Sequence, residues 1–203
     1  MHVSSLQICQ QALVVIGAQP LTSFDDGTTE SIACLNLYEN TARDELSQYR
    51  WRFASNQVQL SRLVDVPSAK WEAAYQLPPE CLAISTVYVN DIPIDFDRYE
   101  DNVFCNAEEA DVVILEGTFY VDEQFWPPYF VQMMVYRIAS QLAHSIAAQI
   151  ETSDFLDQKA IRHSRLARNR DAQGRTAPKI DTSRLINTRF RNSTGRNPRT
   201  SAY

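Results

Sequence analysis

The chain has 203 residues, 44% of them hydrophobic, which is enough for one domain with a sizeable core or for a core with an inserted subdomain. No apolar run approaches the ~20 residues that a membrane-spanning helix needs, and the first residues lack the basic and apolar regions of a signal peptide. These properties argue against a membrane protein and favour a protein of the cell or particle interior.

The net charge of −6 conceals a strong asymmetry along the chain. From Lys159 to the C-terminus there are twelve Lys or Arg residues and two Asp residues, a net charge of +10, whereas residues 1–158 carry −16. An acidic body followed by a basic C-terminal segment predicts that the two parts face different surroundings.

Two helices are predicted near the N-terminus. Ser4 and Gln7 have the spacing of a capping box. Apolar residues then recur at helical spacing as far as Ile16, and Gly17 is a natural helix terminator. A second helix is predicted over residues 29–49. Its buried stripe is predicted to be Ile32, Leu35, Tyr38, Ala42, Leu46 and Tyr49.

Between residues 51 and 125 the apolar pattern changes from helical spacing to alternation. Residues 81–90 alternate well, Asn90-Asp91 is a turn signal, and alternation resumes over residues 92–96. Four to six short strands with polar turns are expected. This pattern indicates a small antiparallel sheet inserted between helices.

A long apolar helix is predicted next. Trp126-Pro127-Pro128 opens it, because proline is well tolerated in a first helical turn, and residues 130–150 are mostly apolar. A fourth helix is predicted from Thr152 or Ser153 to about Gln173. It carries the apolar residues Phe155, Leu156, Ile161 and Leu166, with Arg162, Arg165 and Arg168 along its flank.

The expected fold class is therefore α+β, mainly a helical bundle with an inserted small antiparallel β-domain and an extended C-terminal arm. Residues 1–50 and 126–174 are expected to form the bundle, residues 51–125 the β-domain and residues 175–203 the arm. The arm contains few large apolar residues, so by itself it cannot bury enough surface to offset its ordering entropy.

The sequence contains no motif typical of catalysis or of cofactor binding. Its five glycines are too dispersed for a phosphate loop. The four cysteines are widely spaced and only three histidines are present, which argues against a zinc site. We therefore expect no enzymatic activity, no cofactor and no metal. The cysteines, Cys9, Cys34, Cys81 and Cys105, are interpreted as small hydrophobes of a reducing compartment.

Acidic residues crowd the predicted turns of the β-domain. Asp95 and Asp97 can face the same side of a strand, and a metal-dependent nuclease would need carboxylates that converge in this way. Because these residues lie in turns without a pocket feature, we favour solvated turns or an acidic assembly surface. The full set is Asp95, Asp97, Glu100, Asp101, Glu108, Glu109 and Asp111. His144, on the apolar helix, is expected to be an interior or interface residue rather than a base.

The basic arm leaves two kinds of partner open. Its arginines suit phosphates, which would make the chain a DNA-binding packaging or regulatory protein. Against this, the acidic body would repel DNA, and the aromatic residues Phe190 and Tyr203 are too sparse for a stacking platform. A protein partner with an acidic or groove-like surface is favoured, because the planar fork of arginine pairs well with carboxylates.

Several separate segments resemble one family. They are Leu6-Gln7-Ile8-Cys9-Gln10-Gln11-Ala12-Leu13 with Ile16-Gly17, Ala33-Cys34 with Leu37-Tyr38 and Ala42-Arg43-Asp44-Glu45-Leu46, Trp51-Arg52-Phe53-Ala54, Tyr75-Gln76-Leu77-Pro78-Pro79-Glu80-Cys81-Leu82, and Phe125-Trp126-Pro127-Pro128 with Leu142-Ala143. Together they resemble the tail tubular protein A family of podoviruses over roughly residues 4–170. The C-terminal arm is similar only in character.

This resemblance implies a head-to-tail adaptor of a short-tailed bacteriophage, also called a connector or gatekeeper protein. Family members form a dodecameric ring below the portal and carry a tail nozzle, so the implied partners are other copies of the chain, the portal protein, a nozzle protein similar to tail tubular protein B, and tail fibres. Genomic DNA is expected to pass through the ring during ejection without sequence-specific binding. No membrane partner and no catalytic residue are implied.

The implied location is the head–tail junction of the virion, after assembly in the host cytoplasm. The resemblance also implies that the C-terminal segment reaches the portal. In this chain the predicted portal-binding residues are Arg175, Lys179, Arg184, Leu185, Ile186, Arg189, Phe190, Arg191, Arg196, Arg199 and Tyr203.

Overall fold

Four helices and seven short strands make up the regular structure in the computed structural model, which describes residues 3–64, 70–146 and 150–174. All seven strands lie between the second and third helices, and every strand pairing is antiparallel. The predicted α+β class, with antiparallel strands inserted between helices, is confirmed. The described residues as far as Ala172 form one compact unit, and the features discussed below lie within it.

The first helix, α1, spans Ser5–Ile16 and is bounded by the predicted signals. The hydroxyl of Ser4 accepts a hydrogen bond from the backbone N–H of Gln7, which satisfies one of the free donors of the first turn. At the other end Gly17 adopts a left-handed conformation with φ of 77° and its N–H donates to the carbonyl of Val14. Local chemistry alone therefore accounts for both ends of α1.

The second helix, α2, spans Thr29–Ser47 and is rotated relative to the prediction. Ile32 and Leu35 were expected in the buried stripe, but their exposed fractions are 54% and 59%. Tyr38, Ala42 and Leu46 are buried as predicted, and the buried face is completed by Ser31, Cys34, Thr41 and Glu45. Polar residues can occupy this face because their side chains find partners, as when the Thr41 hydroxyl donates to the Leu37 carbonyl.

The helix α3 spans Pro128–Ser145 and α4 spans Ile150–Gln173. Proline opens α3 as predicted, but α3 ends before residue 150, where the sequence pattern had placed its end. The predicted cap residues of α4 lie inside that helix, and Ser153 donates its hydroxyl hydrogen to the Ser140 carbonyl of α3 at 2.8 Å. None of the described helices has the length and apolar composition needed to cross a membrane.

The helices share one hydrophobic core with the start of the segment that follows α2. Trp51 is fully buried there, donates its indole N–H to the backbone carbonyl of Glu45 at 2.9 Å, and packs edge-to-face on Phe130 with ring centroids 5.0 Å apart. Met133, Met134, Ile138 and Leu142 of α3 are also fully buried. Accordingly α3 is the central element, with α1 and α2 packed against it.

The strands form two sheets rather than the single sheet that was predicted. Their bounds are β1 (Ser55–Gln59), β2 (Ala73–Gln76), β3 (Cys81–Val89), β4 (Ile92–Ile94), β5 (Phe96–Tyr99), β6 (Asn102–Cys105) and β7 (Val113–Phe119). One sheet has the order β1-β7-β3-β4 and the other the order β2-β6-β5. The break falls at the exposed Asp95, after which the chain pairs with β6 instead of continuing the first sheet.

A second hydrophobic core fills the space between the strands. Its fully buried members include Val87, Val103, Cys105 and Leu115. In β7, Gly117 passes close to β3, where an added Cβ would lie 2.5 Å from the carbonyl oxygen of Ala83. This close approach requires glycine at residue 117, because any side chain would push the two strands apart.

A charged cluster joins three of the helices. Glu45 of α2 is only 1% exposed, and its Oε1 accepts a hydrogen bond from Nε of Arg137 in α3 at 2.5 Å. Arg137 also forms an ion pair with Asp157 of α4 through Nη1. The described residues offer no hydrogen-bond partner to Oε2 of Glu45. Arg137 is therefore the group that compensates the charge of the most deeply buried carboxylate of this cluster.

Replacing Arg137 by Met should destabilise the fold strongly. The substitution leaves the Glu45 carboxylate buried without its counter-ion, for which we expect a loss of about 3–5 kcal/mol in the free energy of unfolding, measured by urea denaturation. The matched control is Arg43→Met, which breaks the exposed pair with Glu39 and should cost less than about 1 kcal/mol. Equal losses in the two variants would contradict a structural role for the buried pair.

Candidate interaction surfaces

The predicted portal-binding residues all lie outside the described part of the chain. This applies to Arg175, Lys179, Arg184, Leu185, Ile186, Arg189, Phe190, Arg191, Arg196, Arg199 and Tyr203. Their grouping into one site stays a prediction. The described surfaces are those of α1 to α4 and of the two sheets.

Asp97, which was predicted to lie in a turn, lies within β5 and contacts other residues of the chain. The Asp97 carboxylate accepts hydrogen bonds from Nζ of Lys70 at 2.7 Å, from the indole N–H of Trp71 at 3.0 Å and from the hydroxyl of Tyr99 at 3.2 Å. The hydrogen bond from Lys70, followed by those from Trp71 and Tyr99, lowers the pKa of Asp97. This carboxylate is therefore engaged by neighbours of its own chain.

Other members of the acidic set lie apart from Asp97. Asp111 accepts hydrogen bonds from the Asn90 amide at 2.7 Å and from the backbone N–H of Glu108 at 2.8 Å, so it stabilises a turn. Asp95 is exposed. Within residues 3–64, 70–146 and 150–174, no group of three His, Cys, Asp or Glu side chains is arranged to hold a metal ion.

His144 is exposed near the end of α3, so it is not an interior residue of this chain, and its alternative assignment as an interface residue stays a prediction. The adjacent Leu142 and Ala143 are fully buried, so His144 lies on the outward side of the helix, which the mostly apolar sequence of this segment does not reveal.

The four cysteines are all buried and reduced. Interaction with Cys34, together with burial, raises the pKa of Cys9, and interaction with Cys9 lowers the pKa of Cys34. Burial raises the pKa of Cys105 to about 11. A buried, inaccessible thiol is a poor nucleophile and a poor metal ligand. The cysteines thus occupy core positions, as predicted.

Two carboxylates orient α4. Asp157, near the start of the helix, pairs with Arg137. Asp171, near its end, is buried and accepts hydrogen bonds from the backbone N–H of Arg52 at 3.1 Å and from the hydroxyl of Tyr129 at 2.9 Å. Burial and the Asp171 carboxylate raise the pKa of Tyr129 to about 12, so its hydroxyl remains protonated and can donate at neutral pH. These two contacts determine which face of α4 points outward.

The outward face of α4 combines cations with apolar side chains. Phe155, Lys159, Arg162 and Leu166 follow one another at spacings of four, three and four residues, which places them on one side of a helix. We call these four residues the α4 stripe. Phe155 is 56% exposed and Leu166 is 49% exposed. Nζ of Lys159 lies 4.5 Å from the centre of the Phe155 ring, a cation–π distance.

The cations of α4 have no carboxylate partner within the described structure. The ion pairs there involve Arg43, Arg50, Lys70 and Arg137, and none involves Lys159, Arg162, Arg165, Arg168 or Arg170. The neighbouring imidazole of His163 responds to them. Burial first, and then the positive charges of Arg162, Lys159 and Arg170, lower the pKa of His163. The potential at this face of α4 is therefore positive.

The outward face of α2 also combines apolar with charged side chains, but here the cation is paired with a carboxylate. Ile32, Leu35, Glu39 and Arg43 follow one another at spacings of three, four and four residues, and we call them the α2 stripe. Arg43 pairs with Glu39 at 3.0 Å and lies over the Tyr120 ring at 5.0 Å. This pairing leaves Arg43 as a satisfied cation at the edge of an acidic surface.

A concavity of about 220 Å³ adjoins the α2 stripe. Its lining comprises Ser5, Phe24, Leu35, Tyr38, Glu39, Tyr120 and Glu123. Burial, followed by the negative charges of Glu123 and Glu39, raises the pKa of the Tyr120 phenol. The concavity thus has aromatic and aliphatic walls under a net negative potential.

A larger groove of about 910 Å³ lies between α1 and α3. Its lining is mainly aliphatic and amide-bearing: Val3, Gln7, Gln10, Gln11, Val14, Val15, Pro20, Leu21, Thr22, Gln132 and Val135. None of these lining residues is titratable, so they offer no acid–base chemistry.

No protein-family model matches the sequence, and no curated protein is significantly similar to it. The resemblance described above therefore stays a prediction. The charge and the exposed apolar area of the surfaces are the properties that bear on function.

Sequence patterns missed the two stripes for different reasons. The α2 stripe was hidden because Ile32 and Leu35 are typical core residues. The sequence of α4 did contain a signal for its buried face. The small residues Ala160, Ser164 and Ala167 recur at helical spacing together with Leu156, and this is the face that is buried. Small residues at helical spacing allow close packing, so the bulkier Phe155 and Leu166 could have been placed outward.

The positive potential of α4 can be tested through His163. Replacing Arg162 by Gln removes one of the cations that disfavour the imidazolium form, so the pKa of His163 should rise toward its ordinary value of 6.5, as measured by NMR titration. Arg43→Gln, on a different helix, is the control and should leave this pKa unchanged. An unchanged pKa in Arg162→Gln would contradict the contribution of Arg162 to the titration of His163.

Proposed function

We propose that this protein is a structural, non-enzymatic head-to-tail adaptor of a short-tailed bacteriophage. The observation that carries the proposal is the split of charge, with −16 on residues 1–158 and +10 from Lys159 onward. The described part of the basic segment is α4, whose cations are exposed or half-buried and without carboxylate partners there. The segment resemblance and the α+β order of elements also support the proposal.

The acidic body suits a subunit that surrounds a DNA path. A duplex passing through a ring would be repelled by walls of like charge, which keeps the passage from binding the DNA during ejection. In this proposal the ring joins the portal to the tail nozzle, and twelve copies are expected by the family resemblance. The exposed carboxylates of the β-domain turns would contribute to the acidic surface.

The basic C-terminal segment suits attachment to the portal. Residues 175–203 carry seven further Lys or Arg residues after α4. At about 3.3–3.6 Å per residue, a fully extended arm of this length could reach roughly 100 Å, which is enough to bridge to a second ring. Ordering such an arm on a partner costs conformational entropy, which makes the join dependent on assembly.

A ring also needs two different contact faces on each subunit, because each copy must bind one neighbour on either side. The α2 stripe and the α4 stripe are two such faces. Both expose apolar side chains; the α4 stripe adds the cations Lys159 and Arg162, whereas the α2 stripe adjoins a concavity lined by Glu39 and Glu123. This arrangement supports a ring-forming subunit more than a monomeric binding protein.

The adaptor proposal predicts that the full chain and the portal together form a twelve-fold ring in negative-stain images. Removing residues 175–203 should abolish portal docking while the thermal unfolding midpoint stays unchanged, because this segment contains few large apolar residues that could contribute to a core. Full-affinity docking of the truncated chain would contradict the role of the arm. Failure of the intact chain to form a ring would contradict the adaptor function itself.

The unpaired cations of α4 favour one alternative, a DNA-binding packaging or regulatory protein. Such a protein would bind duplex DNA with an affinity that falls steeply with salt, with a slope of about −0.9 per neutralised phosphate on logarithmic axes. For an adaptor we expect no measurable duplex binding at about 0.15 M salt, measured by fluorescence anisotropy. Tight, salt-dependent binding by the intact chain would favour the alternative.

A further inference from the structure

The α2 stripe and the α4 stripe are complementary and point outward from the same chain. We propose that the α4 stripe of one copy packs against the α2 stripe of a second copy, as a head-to-tail contact. This inference identifies the subunit contact of the proposed ring and in that respect rests on the proposed function.

The two stripes match in length. Each spans eleven residue steps, from residue 32 to 43 in α2 and from residue 155 to 166 in α4, which corresponds to about 16 Å of helix at 1.5 Å per residue. A contact between two such helix faces can therefore engage every member of both stripes at once. Three turns of helix are a typical length for packing between two helices.

Both stripes expose apolar side chains that a contact would remove from water. In α2 these are Ile32 and Leu35, and in α4 they are Phe155 and Leu166. Burying apolar surface contributes about 25 cal/mol per Å², so this exposed area is a source of association free energy.

The charges are opposite. The α4 stripe contributes Lys159 and Arg162, without carboxylate partners among the described residues. On the α2 side, Glu39 is paired with Arg43, and the carboxylate of Glu123 lines the adjoining concavity, so this surface is negative on balance. Opposite potentials steer two surfaces together and disfavour the pairing of either surface with itself. The contact is accordingly expected between two different faces rather than between two identical ones.

The concavity beside the α2 stripe can accept one of these cations. A volume of about 220 Å³ is large enough for an Arg or Lys side chain, whose methylene stem would lie against Phe24 and Leu35. The carboxylate of Glu123 would face its charged end, beside Glu39, which already pairs with Arg43. Arg162 carries a planar fork suited to such a site.

A second copy explains the α4 stripe better than a duplex does. DNA phosphates would satisfy Lys159 and Arg162, but a phosphate backbone offers little to the exposed Phe155 and Leu166. The α2 stripe can cover the apolar side chains of the α4 stripe, and the carboxylates beside it can pair with the cations. Each copy carries both surfaces. Repetition of such a heterologous contact produces a ring when the rotation closes, which is the geometry that the proposed function requires.

The test disrupts one of the two stripes at a time. Leu35→Asp places a carboxylate in the α2 stripe, and Leu166→Asp places one in the α4 stripe. Concentration-dependent association of the full chain is measured by sedimentation velocity at low salt, and circular dichroism verifies the fold of each variant. We expect the wild-type chain to associate and each variant alone to associate at least about tenfold more weakly. Ile92→Asp, at a residue of β4 that is 65% exposed, is the matched control and should behave like the wild type.

Mixing the two variants gives the decisive result. Leu35→Asp retains an intact α4 stripe and Leu166→Asp an intact α2 stripe, so an equimolar mixture should restore one contact and form dimers. Because each variant also lacks one face, the mixture should not form larger species. Recovery of dimers only in the mixture supports a heterologous contact. Unchanged association of either variant alone, or no recovery in the mixture, overturns the proposal.

Further outcomes distinguish a failure of this contact from a failure of the adaptor function. If the wild-type chain remains monomeric at all concentrations, or if Leu35→Asp still forms rings with the portal, the proposed contact is wrong while the adaptor function stands. If the chain is monomeric and Arg162→Glu abolishes duplex binding, the α4 stripe is a nucleic-acid surface and the proposal is overturned. Association as predicted without any ring on the portal would instead contradict only the adaptor function.

Discussion

The contact between Glu45 and Arg137 is the constraint on which the helical part of this protein depends. A carboxylate that is 1% exposed is costly unless its charge is compensated, so α2 and α3 have to meet where Arg137 can reach Glu45. The same guanidinium also pairs with Asp157, which brings α4 to this point. One arginine thereby aligns three helices that come from distant parts of the chain. A hydrophobic core alone would tolerate several relative rotations of these helices, whereas a buried charge accepts few.

The outer surfaces are consequences of this alignment. With Glu45 directed inward, the opposite side of α2 has to face outward, and it carries Ile32 and Leu35. In α4, the anchors at Asp157 and Asp171 turn the small side chains toward the core and leave a basic and apolar stripe outside. Buried polar contacts thus decide which apolar residues remain available for partners. Exposed apolar residues flanked by charge are typical of interaction surfaces rather than of cores.

The proposed adaptor role is consistent with a protein whose useful properties are distributed over surfaces. Structural subunits of a ring depend on complementary faces, on charge and on flexible attachment, none of which produces a short diagnostic motif. The acidic turns show how such a surface can be built economically. Asp111 holds a turn together, Asp97 of β5 accepts hydrogen bonds from Lys70, Trp71 and Tyr99, and the exposed Asp95 adds negative charge outside. The described features are compatible with assembly by contact among several copies.

The features that depend on local chemistry can be predicted from the sequence: the capped ends of α1, the proline that opens α3, the alternation of the strands, the α+β class and the separation of charge. The buried face of α2, the division of the strands into two sheets and the outward face of α4 follow only from tertiary contacts. The reason is physical. Caps and alternation depend on residues a few positions apart, whereas the buried position of Glu45 depends on Arg137, and that of Asp171 on Tyr129 and Arg52. A polar residue is placed inside a protein by its partner, and its partner is distant in the chain.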